Sequence, residues 1–291
     1  MYVCVPDRAW EVMDMSEILL QGEMLEKRFP IQKALFTGKV VKEFTAVDGV
    51  SLELHRGETL GVLGESGSGK STTGEILGDL QRPTSGCVLY KGKDIRSLST
   101  EEYRIFRRNV QYIFQDPKGS MNPNARIESV LSEPLLTLGI EKDAKKRAQR
   151  AKAMCNMVGL EESVLQKYPS EISGGQCQRV AIGRALITEP EIIVCDEVVS
   201  ALDVSVQAQI LNLLNELQKR LQVSYLFISH DIGVVNYMAD RIAVMFHGKL
   251  IEQGTAKEVL THPKQIYTQQ LLNSSFARRV PCQDESSLNM R

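Results

Sequence analysis

Apolar and polar positions alternate, or apolar ones run together, in several short segments typical of β-strands. Partial alternation between bounding glycines predicts two early strands, at 17–26 and 45–54. Short apolar runs predict four more strands, at 59–63, 191–195, 224–229 and 241–246. Apolar residues at helical spacing predict helices at 71–80, at several places within 127–167, at 204–221 and within the last forty residues. This succession of strands and helices indicates an α/β fold.

Composition and charge exclude several classes of protein. The 291 residues suggest one or two domains, and 35 Lys and Arg against 36 Asp and Glu give a net charge of −1. That balance argues against a chain built mainly to coat nucleic acid or an anionic membrane. The sequence has no run of eighteen apolar residues and no signal-peptide layout. The six cysteines form no CxxC pair, which indicates reduced thiols in a cytosolic protein.

A basic stretch at 142–152 allows two interpretations, a nucleic-acid contact or a solvated helix face. Acidic residues flank this stretch, and no aromatic residues interleave with it for base stacking. We therefore expect a solvated helix face and no nucleic-acid partner.

A glycine-rich segment between the predicted strand at 59–63 and the predicted helix at 71–80 matches the pattern G-x-x-x-x-G-K-[ST]. Its glycines let the backbone wrap a phosphate chain, with N–H groups turned inward at a helix N-terminus. Lys70 is predicted to reach the β- and γ-phosphates, and the Ser71 hydroxyl to ligate Mg²⁺. The predicted nucleotide-binding residues here are Gly64, Glu65, Ser66, Gly67, Ser68, Gly69, Lys70, Ser71 and Thr72.

Two adjacent acids end the predicted strand at 191–195. Four apolar residues precede Asp196 and Glu197, which indicates a central strand whose carboxyl end carries both acids. Ligands of open α/β sheets gather at this end of the strands. Asp196 is predicted to hold Mg²⁺ together with Ser71, and Glu197 to accept a proton from an attacking water.

Between these two elements lies Ile172-Ser173-Gly174-Gly175-Gln176, which resembles the signature motif of ATP-binding cassette (ABC) ATPases. Three further positions match motifs of that family in the expected order: Gln115 in the glutamine loop, Asp203 in the loop after the acid pair, and the switch histidine His230. The resemblance covers roughly residues 17–256. It implies a P-loop NTPase (RecA-like) core with an antiparallel β subdomain, an inserted helical subdomain and a short C-terminal helical extension.

The resemblance also implies a division of the chain and a set of roles. Residues 1–14 are expected to be a poorly structured leader, 15–256 the ATPase domain with its helical subdomain at about 116–172, and 257–291 a C-terminal extension. Two cassettes would sandwich two ATP molecules head to tail, each offering Ser173, Gly174, Gly175, Gln176 and Asp203 to the partner's nucleotide. Glu197 would act as the base, His230 would stabilise charge, and Gln115 would touch Mg²⁺ or the water.

An aromatic residue upstream of the first strand pair stacks on adenine in this family. Phe29 is the predicted residue because it follows the segment EILLQGEMLEKR, with Phe36 and Phe44 as alternatives. A place in the hydrophobic core is open to each of the three.

Three segments resemble the branch of ABC importers for dipeptides, oligopeptides and nickel: 115–123, 201–209 and 263–269. The segment from Phe29 to Phe44 resembles that branch's long N-terminal loop. The resemblance implies an ATPase on the cytoplasmic face of the cell membrane, working with two permease subunits, a homologous second ATPase and, indirectly, an extracytoplasmic binding protein. Docking to the permeases is expected through helices between residues 115 and 170.

Some positions depart from the pattern of that branch. Gln265 and Ile266 replace the usual His-Pro, Cys177 stands where arginine is frequent, and Val198 follows Glu197 where most members have proline. The absence of that proline leaves a nickel or metallophore importer open beside a peptide importer. An ABC ATPase of translation or DNA repair is a further alternative, although such proteins carry a second cassette or inserted modules. Cys282 stands alone, so no iron–sulfur cluster is expected.

Overall fold

The computed structural model describes residues 17–33 and 40–277 and contains two β-sheets. A four-stranded antiparallel sheet has the order β2-β1-β4-β5, and a six-stranded sheet has the order β10-β9-β3-β8-β7-β6. The strands of the first sheet are β1 (Ile18–Lys33), β2 (Val40–His55), β4 (Ser85–Tyr90) and β5 (Lys93–Asp94). Those of the second are β3 (Thr59–Leu63), β6 (Val110–Ile113), β7 (Ile192–Asp196), β8 (Ser224–Ser229), β9 (Arg241–Phe246) and β10 (Lys249–Thr255).

The centre of the six-stranded sheet is parallel and buried. Strand β3 pairs with β8 and β9, and β7 pairs with β6 and β8, all in parallel register, whereas β10 joins β9 antiparallel. Every residue of β3, β7 and β8 is buried, as expected for parallel strands covered on both faces. The carboxyl ends of β3 and β7 therefore meet at one edge of the sheet, which places the glycine-rich segment beside the acid pair.

Nine helices flank or extend the sheets in the described part of the chain. They are α1 (Lys70–Leu77), α2 (Thr100–Asn109), α3 (Ile127–Thr137), α4 (Ala144–Met157), α5 (Gly174–Leu186), α6 (Val204–Leu221), α7 (Ile232–Met238), α8 (Ala256–Thr261) and α9 (Ile266–Ala277). Three 3₁₀ turns add Ile95–Ser97, Glu162–Gln166 and Pro169–Glu171. None of these helices is both long and apolar enough to cross a membrane.

Two of the three hydrophobic clusters of the described residues pack against opposite faces of β7. One joins α3, α4 and α5 with the inner face of α6 and one side of β7 and β8. The other lies between the antiparallel sheet, α1 and the opposite side of the six-stranded sheet. Strand β7 contributes Ile193 and Cys195 to the first cluster and Ile192 and Val194 to the second, because successive residues of a strand face opposite sides. The strand that carries the acid pair is thus packed from both faces.

The structure confirms the predicted α/β class, the strands at 59–63, 191–195, 224–229 and 241–246, and the helices within 127–167. The first two strands are longer than predicted: β1 and β2 each have 16 residues, and Phe29 pairs with Phe44 within them. The segment that resembled a long N-terminal loop is therefore, in its described part, an extended β-hairpin, since backbone pairing continues from Arg28–Thr45 to Lys33–Val40. Helix α1 ends at Leu77, three residues before the predicted end, because Asp79 takes a left-handed conformation with a φ of +52° and the N–H of Leu80 bonds back to the Glu75 carbonyl.

The apolar pattern did not predict several elements, namely β4, β5, β6, β10, α2, α5 and α7. The predicted leader at 1–14, the end of the C-terminal extension from 278, Phe36 and Cys282 lie outside the described residues. The proposed domain limits remain predictions.

Candidate nucleotide-binding site

The glycine-rich segment forms a loop between the end of β3 and the first turn of α1. Lys70 begins α1, and its ammonium donates hydrogen bonds to the carbonyl oxygens of Gly64 at 2.8 Å and Glu65 at 2.7 Å. The N–H of Ser68 bonds the carbonyl of Glu65 at 3.2 Å, which closes a turn inside the loop. Ser68 and Lys70 are buried, while Glu65, Ser66 and Gly67 are exposed and Ser71 and Thr72 are half-buried. The loop thus encloses the Lys70 side chain, while the residues at 65–67 remain exposed to solvent.

Close backbone approach explains why this loop needs glycine at two of its positions. A Cβ at Gly69 would lie 2.3 Å from the carbonyl oxygen of Ala46 in β2, and the φ of +100° is itself unfavourable for other residues. A Cβ at Gly64 would lie 2.3 Å from the carbonyl oxygen of Met245 in β9. The loop is therefore wedged between the antiparallel sheet and the six-stranded sheet.

Asp196 lies at the end of β7 against the start of α1. Its Oδ1 accepts a hydrogen bond from the Ser71 hydroxyl at 2.9 Å, and its Oδ2 accepts one from the Tyr112 hydroxyl at 2.9 Å. The carboxylate is buried, with an exposed fraction of 6%. The structure brings together the two residues predicted to ligate Mg²⁺ from elements 125 residues apart.

Tyr112 is a site residue that the sequence analysis missed. It lies on β6, and its ring packs under α1, where a Cβ at Gly78 would come within 3.1 Å of the ring. Its hydroxyl fixes the second carboxylate oxygen of Asp196. The available signal was a tyrosine in a short apolar strand just before the glutamine loop, but its partner is 84 residues away in sequence.

Glu197 collects a second set of partners. Its Oε2 accepts a hydrogen bond from Gln115 Nε2 at 3.0 Å, and its Oε1 lies 3.1 Å from Nδ1 of His230. The side chain of Glu197 is 13% exposed, whereas that of His230 is 53% exposed. Glu197 has a φ of +46°, a left-handed conformation that is unusual outside glycine and typical of functional sites. The three residues predicted to be catalytic therefore form one hydrogen-bonded group.

The signature motif forms the N-terminus of α5. The Ser173 hydroxyl accepts the N–H of Gln176 at 3.3 Å, and Gln176 Oε1 accepts the N–H of Ser173 at 3.0 Å, which is a reciprocal capping box. Ser173 and Gly174 are exposed. Among the described residues, no hydrogen bond joins Ser173 to the glycine-rich loop at 64–72 of the same chain, which we call the phosphate loop. The free N-terminal N–H groups of α5 can bind an anion presented from outside.

A cavity of about 250 Å³ lies between the glutamine loop, the signature helix and the loop after β7. Gln115, Gly174 and Leu202 line it, together with Cys177 and Val198, two of the four departing residues noted above. Gln115 therefore contacts Glu197 on one side and faces the signature helix across this cavity on the other. Gln115 thus lies between the Glu197 carboxylate and the N-terminus of α5.

Two predicted nucleotide-binding residues lie apart from these groups. Phe29 is half-buried on β1, with the Lys27 ammonium 5.3 Å from its ring centroid, and Phe44 opposite it is 51% exposed. Asp203 is exposed at the N-terminus of α6, and its side chain makes no capping hydrogen bond. Asp203 is accessible to a ligand or a partner, and Phe29 is partly so.

Burial shifts the pKa values of the central groups in opposite directions. It lowers the pKa of the Lys70 ammonium, because desolvation outweighs the attraction of Glu197 and Asp196. It raises the pKa of Asp196, even though the hydroxyls of Ser71 and Tyr112 favour the ionised carboxylate. Burial therefore makes the charged forms of Asp196 and Lys70 less favourable. A bound metal ion next to the carboxylate and a phosphate next to the ammonium can offset this free-energy cost.

The donor set suits a magnesium ion. Ser71 offers a hydroxyl oxygen, Asp196 a carboxylate, and Gln115 a side-chain carbonyl that remains free while its amide nitrogen bonds Glu197. Magnesium prefers such oxygen ligands and completes its shell with water and phosphate. The described residues contain no group of three or more His, Cys, Asp or Glu side chains placed to hold a metal.

The sequence profile of the ABC transporter family matches residues 47–200, which include the phosphate loop, the signature helix and the acid pair. The chain belongs to the ABC transporter family. Membership of this family identifies it as an ATP-hydrolysing cassette.

Several proteins similar to this ABC cassette are known. The oligopeptide transport ATP-binding protein AppF of Bacillus subtilis is 46% identical over 260 residues, which cover 89% of this chain and 78% of that protein. The dipeptide transport ATP-binding protein DppF of Escherichia coli is 42% identical over 262 residues, covering 90% and 77%. The dimeric structure of the cassette MJ0796 in a post-hydrolysis state with ADP and Pi has a TM-score of 0.72 and 28% identity, covering 82% of this chain and 99% of that one.

The raised pKa of Asp196 predicts a pH-dependent effect of Asp196→Asn on the stability of the nucleotide-free cassette. A carboxyl whose pKa is higher in the folded state stabilises that state below its unfolded pKa, and the contribution is lost as pH rises through the folded pKa. Asparagine does not titrate. We expect the variant to gain stability relative to wild type as pH rises from 4 to 7, measured by urea unfolding.

The matched control is Asp143→Asn, which exchanges one exposed helix cap for an equally good one in α4. Its difference from wild type should show no such rise. A constant or falling difference for Asp196→Asn would contradict the burial that the site assigns to this carboxylate.

Proposed function

We propose that the chain is the ATP-hydrolysing subunit of an ABC importer for dipeptides or oligopeptides, coupled to two integral-membrane permease subunits. The observation that carries the hydrolytic part is the group formed by Glu197, Gln115 and His230 beside the Ser71–Asp196 pair. The transport part is supported by relatives at 42–46% identity that are named as peptide-transport ATP-binding proteins.

Nucleotide binding in this proposal uses the phosphate loop from Gly64 to Thr72. Lys70 exchanges its carbonyl partners for the β- and γ-phosphates, and the loop N–H groups and the α1 dipole hold the phosphate chain. Phe29, at the open edge of the β1–β2 hairpin, stacks on the adenine. Ser71, Asp196 and Gln115 hold Mg²⁺, which when bound neutralises charge on the phosphates.

Hydrolysis requires a water aligned with the γ-phosphate and a group that takes its proton. Glu197 is the proposed base because its carboxylate is held by Gln115 and His230 at opposite oxygens. His230 is mostly exposed and can turn toward the γ-phosphate, where its N–H stabilises developing charge. Lys70 and the helix N-terminus add to that stabilisation.

Completion of the site needs a second cassette. At the N-terminus of α5, Gly174 and Gly175 offer N–H groups, and Ser173 and Gln176, which cap each other, offer their side chains. Asp203 is exposed at the start of α6. In a head-to-tail pair these groups bind the γ-phosphate held by the partner. We propose a homologous second ATPase as that partner.

Transport places the subunit on the cytoplasmic face of the membrane. The proposal assigns permease docking to the helical part between residues 115 and 170, and substrate selection to the permeases and an extracytoplasmic binding protein. Val198 after Glu197, in place of proline, favours a nickel or metallophore importer as the second candidate function.

The base assignment predicts that Glu197→Gln retains ATP but stops turnover. Loss of the proton acceptor should lower kcat by at least about 10²-fold, while the Kd for ATP changes little because Glu197 contacts neither Lys70 nor the loop. Steady-state phosphate release and equilibrium ATP binding measure the two quantities. Lys70→Ala is the contrasting variant and should lose ATP binding itself. Turnover near the wild-type rate in Glu197→Gln would overturn the assignment.

The substrate proposal predicts that a strain lacking this chain fails to accumulate a labelled tripeptide and still accumulates labelled nickel. The wild-type chain should restore peptide uptake, and Glu197→Gln should not, because transport depends on hydrolysis. Loss of nickel uptake with intact peptide uptake would instead support the second candidate. Unchanged uptake of both would contradict an importer of either kind.

A further inference from the structure

Tyr267 connects the C-terminal helix to the phosphate loop. It lies in the first turn of α9, and its hydroxyl oxygen accepts a hydrogen bond from the backbone N–H of Glu65 at 3.2 Å. The two residues are 202 positions apart in sequence. None of the roles assigned above to the nucleotide site uses a residue of α9.

The Glu65 peptide groups are held from two sides. The N–H of Glu65 bonds Tyr267, while the carbonyl of the same residue bonds the Lys70 ammonium at 2.7 Å. Glu65 is exposed and lies in the turn that Ser68 closes, so few other contacts fix this part of the loop. The orientation of its backbone therefore depends on the Tyr267 hydroxyl at the N–H and on the Lys70 ammonium and the Ser68 N–H at the carbonyl.

The turn between β9 and β10 supports Tyr267 and touches the loop a second time. The Phe246 ring lies against the Tyr267 ring, with centroids 4.1 Å apart and an angle of 37° between the planes. The N–H of Gly248 in the same turn donates to the carbonyl of Ser68 at 3.0 Å. His247 and Gly248 both have positive φ, 46° and 81°, as a tight two-residue hairpin turn requires. Turn and helix thus form one support that contacts the loop at Glu65 and at Ser68.

Helix α9 is anchored firmly enough to act as such a support. The carboxylate of Glu252 on β10 accepts the N–H groups of Lys264 at 2.7 Å and Gln265 at 3.1 Å, at the start of the helix. Burial raises the pKa of Glu252, but the hydrogen bonds to its carboxylate and the nearby charge of Lys264 together outweigh burial, so the pKa is lowered. Leu271 and Leu272 are buried with Val259 of α8 against β9. Tyr267 is therefore fixed to the six-stranded sheet and not to a loose tail.

We propose that Tyr267 is a positioning residue for the phosphate loop, through which α9 sets the affinity of the cassette for ATP. Its hydroxyl holds the Glu65 peptide so that the Gly64 and Glu65 carbonyls and Lys70 keep one arrangement. A loop fixed beforehand loses less conformational freedom when it closes around the phosphates, and this raises affinity without touching the bond that breaks. The inference rests on the nucleotide site and on no part of the transport proposal.

Tyr267→Phe tests the inference, because it keeps the ring on Phe246 and removes only the acceptor. Loss of one hydrogen bond should raise the Kd and the KM for ATP by about two- to tenfold, with kcat unchanged. In the nucleotide-free protein the Glu65 amide should exchange with deuterium at least about threefold faster. Equilibrium binding of MgATP, steady-state phosphate release and peptide-level hydrogen exchange over residues 60–68 give the three readouts.

Tyr237→Phe is the matched control, because Tyr237 on α7 is half-exposed and its hydroxyl bonds Asn212 on α6 instead of the loop. It should leave ATP affinity and Glu65 exchange unchanged. An unchanged Kd in Tyr267→Phe, unchanged exchange at Glu65, or a loss of affinity that comes only with a lower melting temperature would each overturn the proposal. Failure of peptide uptake in cells would leave these readouts intact, so the two proposals fail separately.

Discussion

Glu197 leaves β7 with a φ of +46°, and this one left-handed residue separates the partners of two adjacent carboxylates. Asp196 stays in line with the strand and bonds Ser71 and Tyr112, whereas Glu197 bonds Gln115 and His230. A non-glycine residue in this conformation costs about 1–3 kcal/mol. The cost is sustained by β7, which is buried on both faces and pairs with two parallel neighbours. The two proposed roles, metal binding by Asp196 and proton transfer by Glu197, therefore fall on neighbouring residues that share no hydrogen-bond partner.

The same buried sheet explains how distant segments converge on this point. The phosphate loop follows β3, the glutamine follows β6 and the histidine follows β8, and all of these strands run parallel to β7. Parallel strands bring their carboxyl ends to a single edge, so loops that are far apart in sequence meet there. The antiparallel sheet then presses Ala46 against Gly69, which closes the other side of the loop. The positions of the site residues are therefore set mainly by the packing of the two sheets, most of which lies outside the site.

The sequence predicts those parts of the site that consist of short runs of consecutive residues. The glycine-rich loop, the acid pair and the signature each lie within a few consecutive residues, and their residue types are set by the phosphate, metal and anion they serve. The central strands were predictable for a similar reason, because their uninterrupted apolar runs reflect burial on both faces. The capping box of Ser173 and Gln176 also lies within four consecutive residues, although the sequence analysis did not predict it.

Long-range contacts were not predictable in this way. Nothing near Tyr112 or Tyr267 in sequence indicates that their hydroxyls reach Asp196 and Glu65, since both contacts depend on how β6 and α9 pack in the finished fold. The extension of β1 and β2 beyond 26 and before 45 depends on their mutual register, which turn geometry and partner strands decide. Strand β6 has four residues and too short a pattern to stand out.

The central claim is that Ser71 and Asp196 form the metal-dependent part of the nucleotide site. Its most direct test is the Kd for ATP, measured with Mg²⁺ and with EDTA, in the wild-type protein and in Ser71→Ala. The account predicts that Mg²⁺ tightens ATP binding by the wild-type protein and has little effect on the variant, because the hydroxyl 2.9 Å from Asp196 is gone. Equal tightening by Mg²⁺ in both proteins would contradict it.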